Sequence, residues 1–292
     1  MLEQPVTSTP RILIIALLAT LLLAGGCSSM VSRATSDLSD NLSSAVLDQN
    51  DPETVRQGAP AFLLMIDGFI SGDPDNQSLL LAGSRLYSAY ATAFVDDEAR
   101  QKRLAEKSYS YGRQAVCLSH QDFCSVIDKP LATFTEQVTD FSAGDVPVLF
   151  GFAAGWATWI QANTNDWSAN IQLPKVAALM QRVIELDESY SHGNAHLYMG
   201  VLSTQLPPEY GGKPEVGRRH FERANELSNG HNLMVNTLFA KYYARLVFDR
   251  ELHDRLLNEV LASDIEAPGL TLSNALAQQD AQLLLEESND FF

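Results

Sequence analysis

The sequence predicts an all-α chain built from antiparallel helix pairs. Three observations carry this. Alternating β-branched runs are few. Long stretches instead repeat their apolar residues at helical spacing. Clusters of Asn, Asp, Gly and Pro separate those stretches. The spacing predicts helices over 78–95, 97–116, 146–162, 173–186, 194–204, 214–227, 234–249 and 251–261, with a further early helix over 38–47.

The chain begins with a short export-like segment. Residues 12–24 are almost wholly apolar, and Leu23-Ala24-Gly25-Gly26-Cys27-Ser28 follows. An apolar core ending in small residues is a cleavable export signal. The core falls short of the ~20 residues a spanning helix needs. The pattern resembles the bacterial lipobox, with Ala24 standing where Leu is commonest. Cys27 is then the lipidated residue, and the membrane is reached through lipid alone. By the same resemblance, Ser28 rather than Asp directs the protein to the periplasmic side of the outer membrane. Residues 1–26 are read as signal, 27–50 as lipidated N-terminus and tether, and 51–292 as the helical domain.

Composition bounds the function. Cleavage takes 26 of 292 residues, including Glu3 and Arg11. That leaves 19 basic against 35 acidic residues and keeps the net charge at −16. Such acidity excludes nucleic acid as a partner, since phosphates would be repelled. It favours a basic protein partner. Cys117 and Cys124 form an even pair in an oxidising compartment and read as a local disulfide. Two separate buried thiols are the competing reading.

Within the domain, second helices share a small–x3–large–x2–small spacing. Gly217-x3-Phe221-x2-Ala224 is clearest, and Ala105-x3-Tyr109-x2-Gly112 matches well. Val176-x3-Met180-x2-Val183 is weaker and His253-x3-Leu257-x2-Val260 poorest. First helices carry Gly83, Gly155, Gly200 and Ala240 at the matching place. These are tetratricopeptide spacings: a small residue lets paired helices cross closely, and the large one fills the groove to the next pair. About four degenerate pairs, forming a solenoid with a groove or pore, are expected. Before the third second helix lies Leu206-Pro207-Pro208-Glu209-Tyr210-Gly211-Gly212-Lys213-Pro214-Glu215. Its prolines stop one helix, its glycines permit a tight turn, and Pro214 starts the next helix in a favoured position.

Those ten residues, leading into Gly217-Arg218-Arg219-His220-Phe221-Glu222-Arg223-Ala224 behind a lipobox, resemble the T-component lipoproteins of TRAP transporters, the TatT family. The resemblance covers roughly residue 51 to the C-terminus. It implies a periplasmic helical lipoprotein that is a homotrimer, with a channel or groove in each subunit. It also implies a partner, the periplasmic solute-binding protein of a TRAP-type system.

Candidate binding residues follow. Gly151 to Trp159 is apolar all round, and Trp156 and Trp159 share a face. They read either as the wall of an apolar ligand groove or as core. Glu188, His192 and His196 have metal-ligand spacing, but Ser191 to Asn194 reads as a turn, so a shared face is not required. His196 is placed instead inside a first helix, on the concave surface. Pro207, Pro208, Glu209, Tyr210, Gly211 and Gly212 form a rigid recognition loop. No phosphate loop, His-Glu-x-x-His or Gly-x-Ser-x-Gly occurs, and nothing in the sequence places a Ser, a His and an Asp together. No cofactor and no enzymatic role are expected, with a hydrolase as the lesser alternative. The expected function is a transport accessory binding the solute-binding subunit and an apolar or carboxylate ligand. The alternative is an adaptor for envelope assembly without a small-molecule ligand.

Overall fold

The computed structural model describes residues 44–292 apart from 206 and 211 and the side chain of Tyr210. The export signal, Cys27 and the tether up to residue 43 lie outside the described residues. Of the early helix expected over 38–47, residues 44–47 are described, and they are helical. Among the described residues every regular element is helical. The long ones are α1 (Pro52–Gly72), α2 (Gln77–Ala93), α3 (Glu98–Ser119), α4 (Leu131–Val138), α5 (Val146–Ala162), α6 (Leu173–Asp187), α7 (Tyr190–Thr204), α8 (Pro214–Leu227), α9 (Leu233–Leu238), α10 (Arg250–Ala262) and α11 (Thr271–Glu286).

Local chemistry sets the starts. Asp51, Asn76, Asp97 and Asp249 each cap a helix by accepting a backbone N–H of the first turn. Pro147, Pro174 and Pro214 sit in first turns, where a missing N–H costs nothing. Ser191, His192 and Gly193 all have positive φ. They form the turn expected between repeats, and α7 is regular only after it.

Helices pack in sequence-adjacent hairpins, α2 on α3, α5 on α6, α7 on α8 and α9 near α10. Small residues set the crossings. A Cβ on Gly155 would lie 2.8 Å from Ser84 Oγ and 3.2 Å from the Ser108 carbonyl oxygen. One on Gly112 would lie 3.2 Å from the Phe152 Cα. Ser84 and Ser108 bind each other's backbone, Oγ to carbonyl, at 2.9 and 2.8 Å. In the third hairpin a Cβ on Gly200 would meet the Phe221 ring at 2.8 Å, and one on Gly217 the Gly200 carbonyl oxygen at 2.9 Å. Phe221 is fully buried and stacks on Phe239 of the next hairpin, centroids 5.1 Å apart.

Three helices go beyond those expected. α1 contains Pro60, which removes an N–H bond to the Arg56 carbonyl. The Tyr90 hydroxyl of α2 donates to that carbonyl at 3.4 Å. α1 is further held by Asp67, which accepts from Tyr87 and Tyr111 at 2.8 and 2.7 Å and pairs with Lys107. α4 is short, and its two buried residues, Phe134 and Val138, face the core. α11 closes the structure. It packs against α9 and α10, and also touches α1. Leu272 of α11 belongs to the same core as Val55 and Leu63 of α1, and the Gly269 N–H donates to Asp48 at 2.5 Å. The row of hairpins therefore bends until its last long helix meets its first.

The expected helix over 234–249 divides. After Leu238 the chain is π-helical from Phe239 to Ala244, with Arg245 N–H bonding the Ala240 carbonyl. The widened turn lets Phe239 stack on Phe221 while Tyr243 donates to Glu215 at 2.8 Å.

If the crossings hold the hairpins, Gly155→Ala should destabilise by about 1–3 kcal/mol in denaturant unfolding. Gly58→Ala, with nothing within 4 Å of its Cβ, should be neutral or stabilising. Phe221→Ala should cost about 3–5 kcal/mol. Equal effects of the two glycine substitutions would refute the crossing argument.

Candidate functional site

The two tryptophans of α5 are placed differently. Trp156 is 1% exposed, enclosed by Tyr109, Phe134 and Phe152, and its Nε1 donates to Gln172 at 3.0 Å. It is a core residue with its one polar atom satisfied. Trp159 keeps partial exposure and donates to Glu106 at 2.5 Å.

A second aromatic group involves α2, α5 and α7. Tyr190 and Tyr198 both meet Phe150 edge-on, with centroids 5.5 and 5.9 Å away. Arg85 of α2 donates to the Tyr190 hydroxyl at 3.0 Å and makes no ion pair among the described residues. Burial pushes the Tyr198 phenol up to about 12. Sequence reasoning missed this group because Arg85 and Tyr190 are 105 positions apart.

His196 is buried and faces His220 of α8, Nδ1 to Nδ1 at 2.8 Å. On its other side Nε2 lies 3.4 Å from a Glu188 oxygen, and Arg223 clamps that carboxylate at 2.5 and 3.1 Å. His196 Nε2 is buried without a hydrogen-bond partner, the Glu188 carboxylate lying just beyond it. His192 is exposed within the left-handed turn. Glu188 and His196 of the expected triplet therefore meet, and His192 stands apart.

The loop after α7 is tied at both ends. Gly212 N–H donates to the Pro207 carbonyl at 3.1 Å, and Lys213 N–H to the Ser203 carbonyl at 2.8 Å. Pro208–Tyr210 is a short 3-10 turn, with Pro208 and Glu209 exposed. Gly211 and the Tyr210 side chain lie outside the described residues.

A disulfide joins Cys117 to Cys124, Cα atoms 5.2 Å apart, and holds the turn after α3 as expected. Beside it the structure corrects one reading. Ser119, His120 and Asp145 do come together, with Ser119 Oγ 2.9 Å from His120 Nδ1 and His120 Nε2 3.4 Å from Asp145. Ser119 ends α3, at the negative pole of the helix. It accepts from Gln77 at 2.8 Å and donates to the Val116 carbonyl. Those bonds make it a link between α2 and α3.

Comparison with known proteins decides the family. The TRAP transporter T-component family matches residues 48–292, which is nearly all of the described chain. The chain belongs to this family. The T-component is also similar to an uncharacterized protein of Treponema pallidum (strain Nichols), 23% identical over 265 residues. That similarity covers 84% of this chain and 81% of the relative. Membership makes the protein an accessory component of a TRAP transport system.

The imidazole pair of this T-component has a pH signature. Burial, then repulsion by His196 and Arg219, holds His220 down to about 4 against an ordinary 6.5. Burial also lowers His196, opposed by Glu188. Below pH 6.5 the unfolded imidazoles take up protons that the folded ones refuse. Stability should therefore fall as pH drops from 6.5, levelling near 4. Thermal unfolding between pH 5 and 6.5, above the ordinary carboxylate range, should show this slope. His220→Gln should flatten it. An unchanged slope in that variant would remove the pair as the cause.

Proposed function

We propose that this T-component is a lipid-anchored accessory in the periplasm that docks the solute-binding subunit of its TRAP system and takes up an apolar carboxylate. The observation that carries the reading is the meeting of α11 with α1, which brings the last long helix of the row back against the first. Such curvature creates an inner surface that binds elongated or buried ligands. Arg85, without an acidic partner among the described residues, donates to Tyr190, whose ring meets Phe150, and Phe150 in turn meets Tyr198. A guanidinium next to aromatic rings suits a carboxylate with an apolar tail.

The loop 207–213 is the proposed docking element. Pro207 and Pro208 restrict its backbone, the Gly212 N–H closes it on the Pro207 carbonyl, and the Lys213 N–H fixes it to Ser203 of α7. A preformed loop loses little entropy on docking. Anchoring through Cys27 on the outer membrane, and assembly into a trimer, complete the proposal.

Docking is measured by capture of the solute-binding protein expressed from the same system. Pro208→Ala combined with Glu209→Ala should weaken capture at least ~tenfold while leaving the melting temperature unchanged. Capture equal to that of the unaltered chain would sink the loop. The absence of any complex would sink the docking reading altogether. Lipidation is tested separately: Cys27→Ser should abolish incorporation of a labelled fatty acid, and persistent label would refute it.

A further inference from the structure

Three exposed apolar side chains, Phe248, Leu283 and Phe291, come together where the segment after the π-helical turn meets the end of α11. Leu283 and Phe291 lie eight residues apart on one stripe of α11 and the short helix Ser288–Phe291 that continues it. Glu287 stands between them, its N–H bonding the Leu283 carbonyl at 3.1 Å and its carbonyl accepting from the Phe291 N–H at 3.0 Å. Arg245 lies over the Phe291 ring at 4.6 Å and pairs with Glu287 at 3.0 Å. Phe248 adds its ring to the group, with its centroid 6.3 Å from that of Phe291 and 5.1 Å from that of Phe292. Phe248 is 64% exposed and Leu283 57%.

Phe248 also holds a backbone that its side chain disfavours. Its φ is +58°. The Asp249 N–H bonds the Ala244 carbonyl at 2.9 Å, and the Phe248 N–H bonds the Arg245 carbonyl at 3.2 Å. That pair of bonds closes a helix through a left-handed residue, a place that glycine or asparagine fills at least cost. The end of α8 is closed by the same pair of bonds, there through Asn229 at φ +50°. A bulky aromatic in this conformation is strained, and with most of its surface in solvent it recovers little by burial. Folding therefore does not account for a phenylalanine here. Strain kept at an exposed position points to recognition.

We propose that Phe248, Leu283 and Phe291 form a docking patch for a partner protein that presents an apolar side chain flanked by Lys or Arg. Charge selects this occupant. Glu286 and Asp290 follow Leu283 by three and seven residues, on the same face and exposed, and neither pairs with a cation among the described residues. The nearby cations are engaged elsewhere, Arg245 with Glu287 and Arg250 with Asp254. A second copy of the chain packed patch to patch would set these carboxylates against their own kind. An anionic lipid surface would be repelled in the same way. The patch also continues the proposed docking loop. Tyr243, one turn before Val247, donates to Glu215 in the first turn of α8, which the loop 207–213 enters. The proposal rests on the transport reading only for who the partner is. The chemistry of the patch stands by itself.

The test uses the full chain and a labelled peptide with a central phenylalanine and leucine between lysines, followed by fluorescence anisotropy. A matched peptide with glutamates for lysines is the control. The lysine peptide should bind at least ~tenfold tighter than the glutamate peptide, and its binding should weaken as salt rises. Phe248→Gly should keep or raise the melting temperature while weakening binding at least ~fivefold. Leu283→Ser should weaken binding too, whereas Leu64→Ser, at an exposed leucine of α1, should leave it unaltered. Binding that survives Phe248→Gly, or that Leu64→Ser impairs equally, overturns the proposal. A lowered melting temperature in Phe248→Gly would make the ring structural and overturn it as well. Self-association of the unaltered chain that Phe248→Gly dissolves, read by sedimentation, would assign the patch to a second copy and overturn it too. Capture of the solute-binding protein is read in parallel. Lost peptide binding with intact capture in Phe248→Gly refutes the patch as its dock, while peptide binding without any capture refutes the transport reading alone.

Discussion

The fold depends on how closely α2, α3 and α5 approach one another. Where they meet stand Ser84, Ser108, Gly112 and Gly155, and a methyl group at either glycine would press on backbone or on the paired serines. The serines do more than stay small. Each hydroxyl takes the other helix's carbonyl as acceptor, so the contact is satisfied without water. Larger side chains would spread the helices, and every later hairpin would inherit the changed angle. In a row of repeats, a local crossing sets the curvature of the whole. The contact between α11 and α1 at the far end is possible only if that curvature is right.

Two hydrophobic cores share the described domain, and they divide at α7. Ala195 belongs to the first and Leu197 to the second. His196 lies between them, buried, with His220 on one side and Glu188 on the other. A purely apolar residue there would fuse the cores. The imidazoles instead set a register: their Nδ1 atoms meet at 2.8 Å, with the carboxylate that Arg223 holds beside the His196 ring. Buried polar contacts of this kind specify a geometry at a cost in stability. The three left-handed residues just before, Ser191 to Gly193, allow α7 to leave α6 at a sharp angle and bring that register about.

Much of this was legible in the sequence. Helices α5 and α8 begin and end where periodicity and proline placement put them, because both features act within a few residues. The small–large–small spacing located the crossings at Gly155, Gly200 and Gly217. What escaped depends on distant partners. Pro60 argues locally against α1, and only Tyr90 from another helix compensates it. α11 is rich in Ala and Gln, so its apolar stripe is weak, and its place is fixed by contacts with both ends of the chain. The π-helical turn at Phe239 answers to the position of Phe221. The Arg85–Tyr190 and His196–His220 contacts join residues far apart, and no spacing rule connects them. Cys117 and Cys124 were readable because their loop is short and the export-like start of the chain leads one to expect an oxidising compartment.

α8 brings these features onto one rigid element. Gly217, Phe221 and Ala224 form its buried stripe, while His220 reaches the seam between the cores. Arg223 holds Glu188, and Arg218 pairs with Glu222 on its exposed face. The loop 207–213 enters directly into its first turn. With the Gly200 carbonyl only 2.9 Å from where a Gly217 Cβ would lie, α8 has no room to slide toward α7. Rotation about its own axis is blocked by the Phe221 ring between Gly200 and Phe239. The same packing ties the loop that enters α8 to the seam between the two cores.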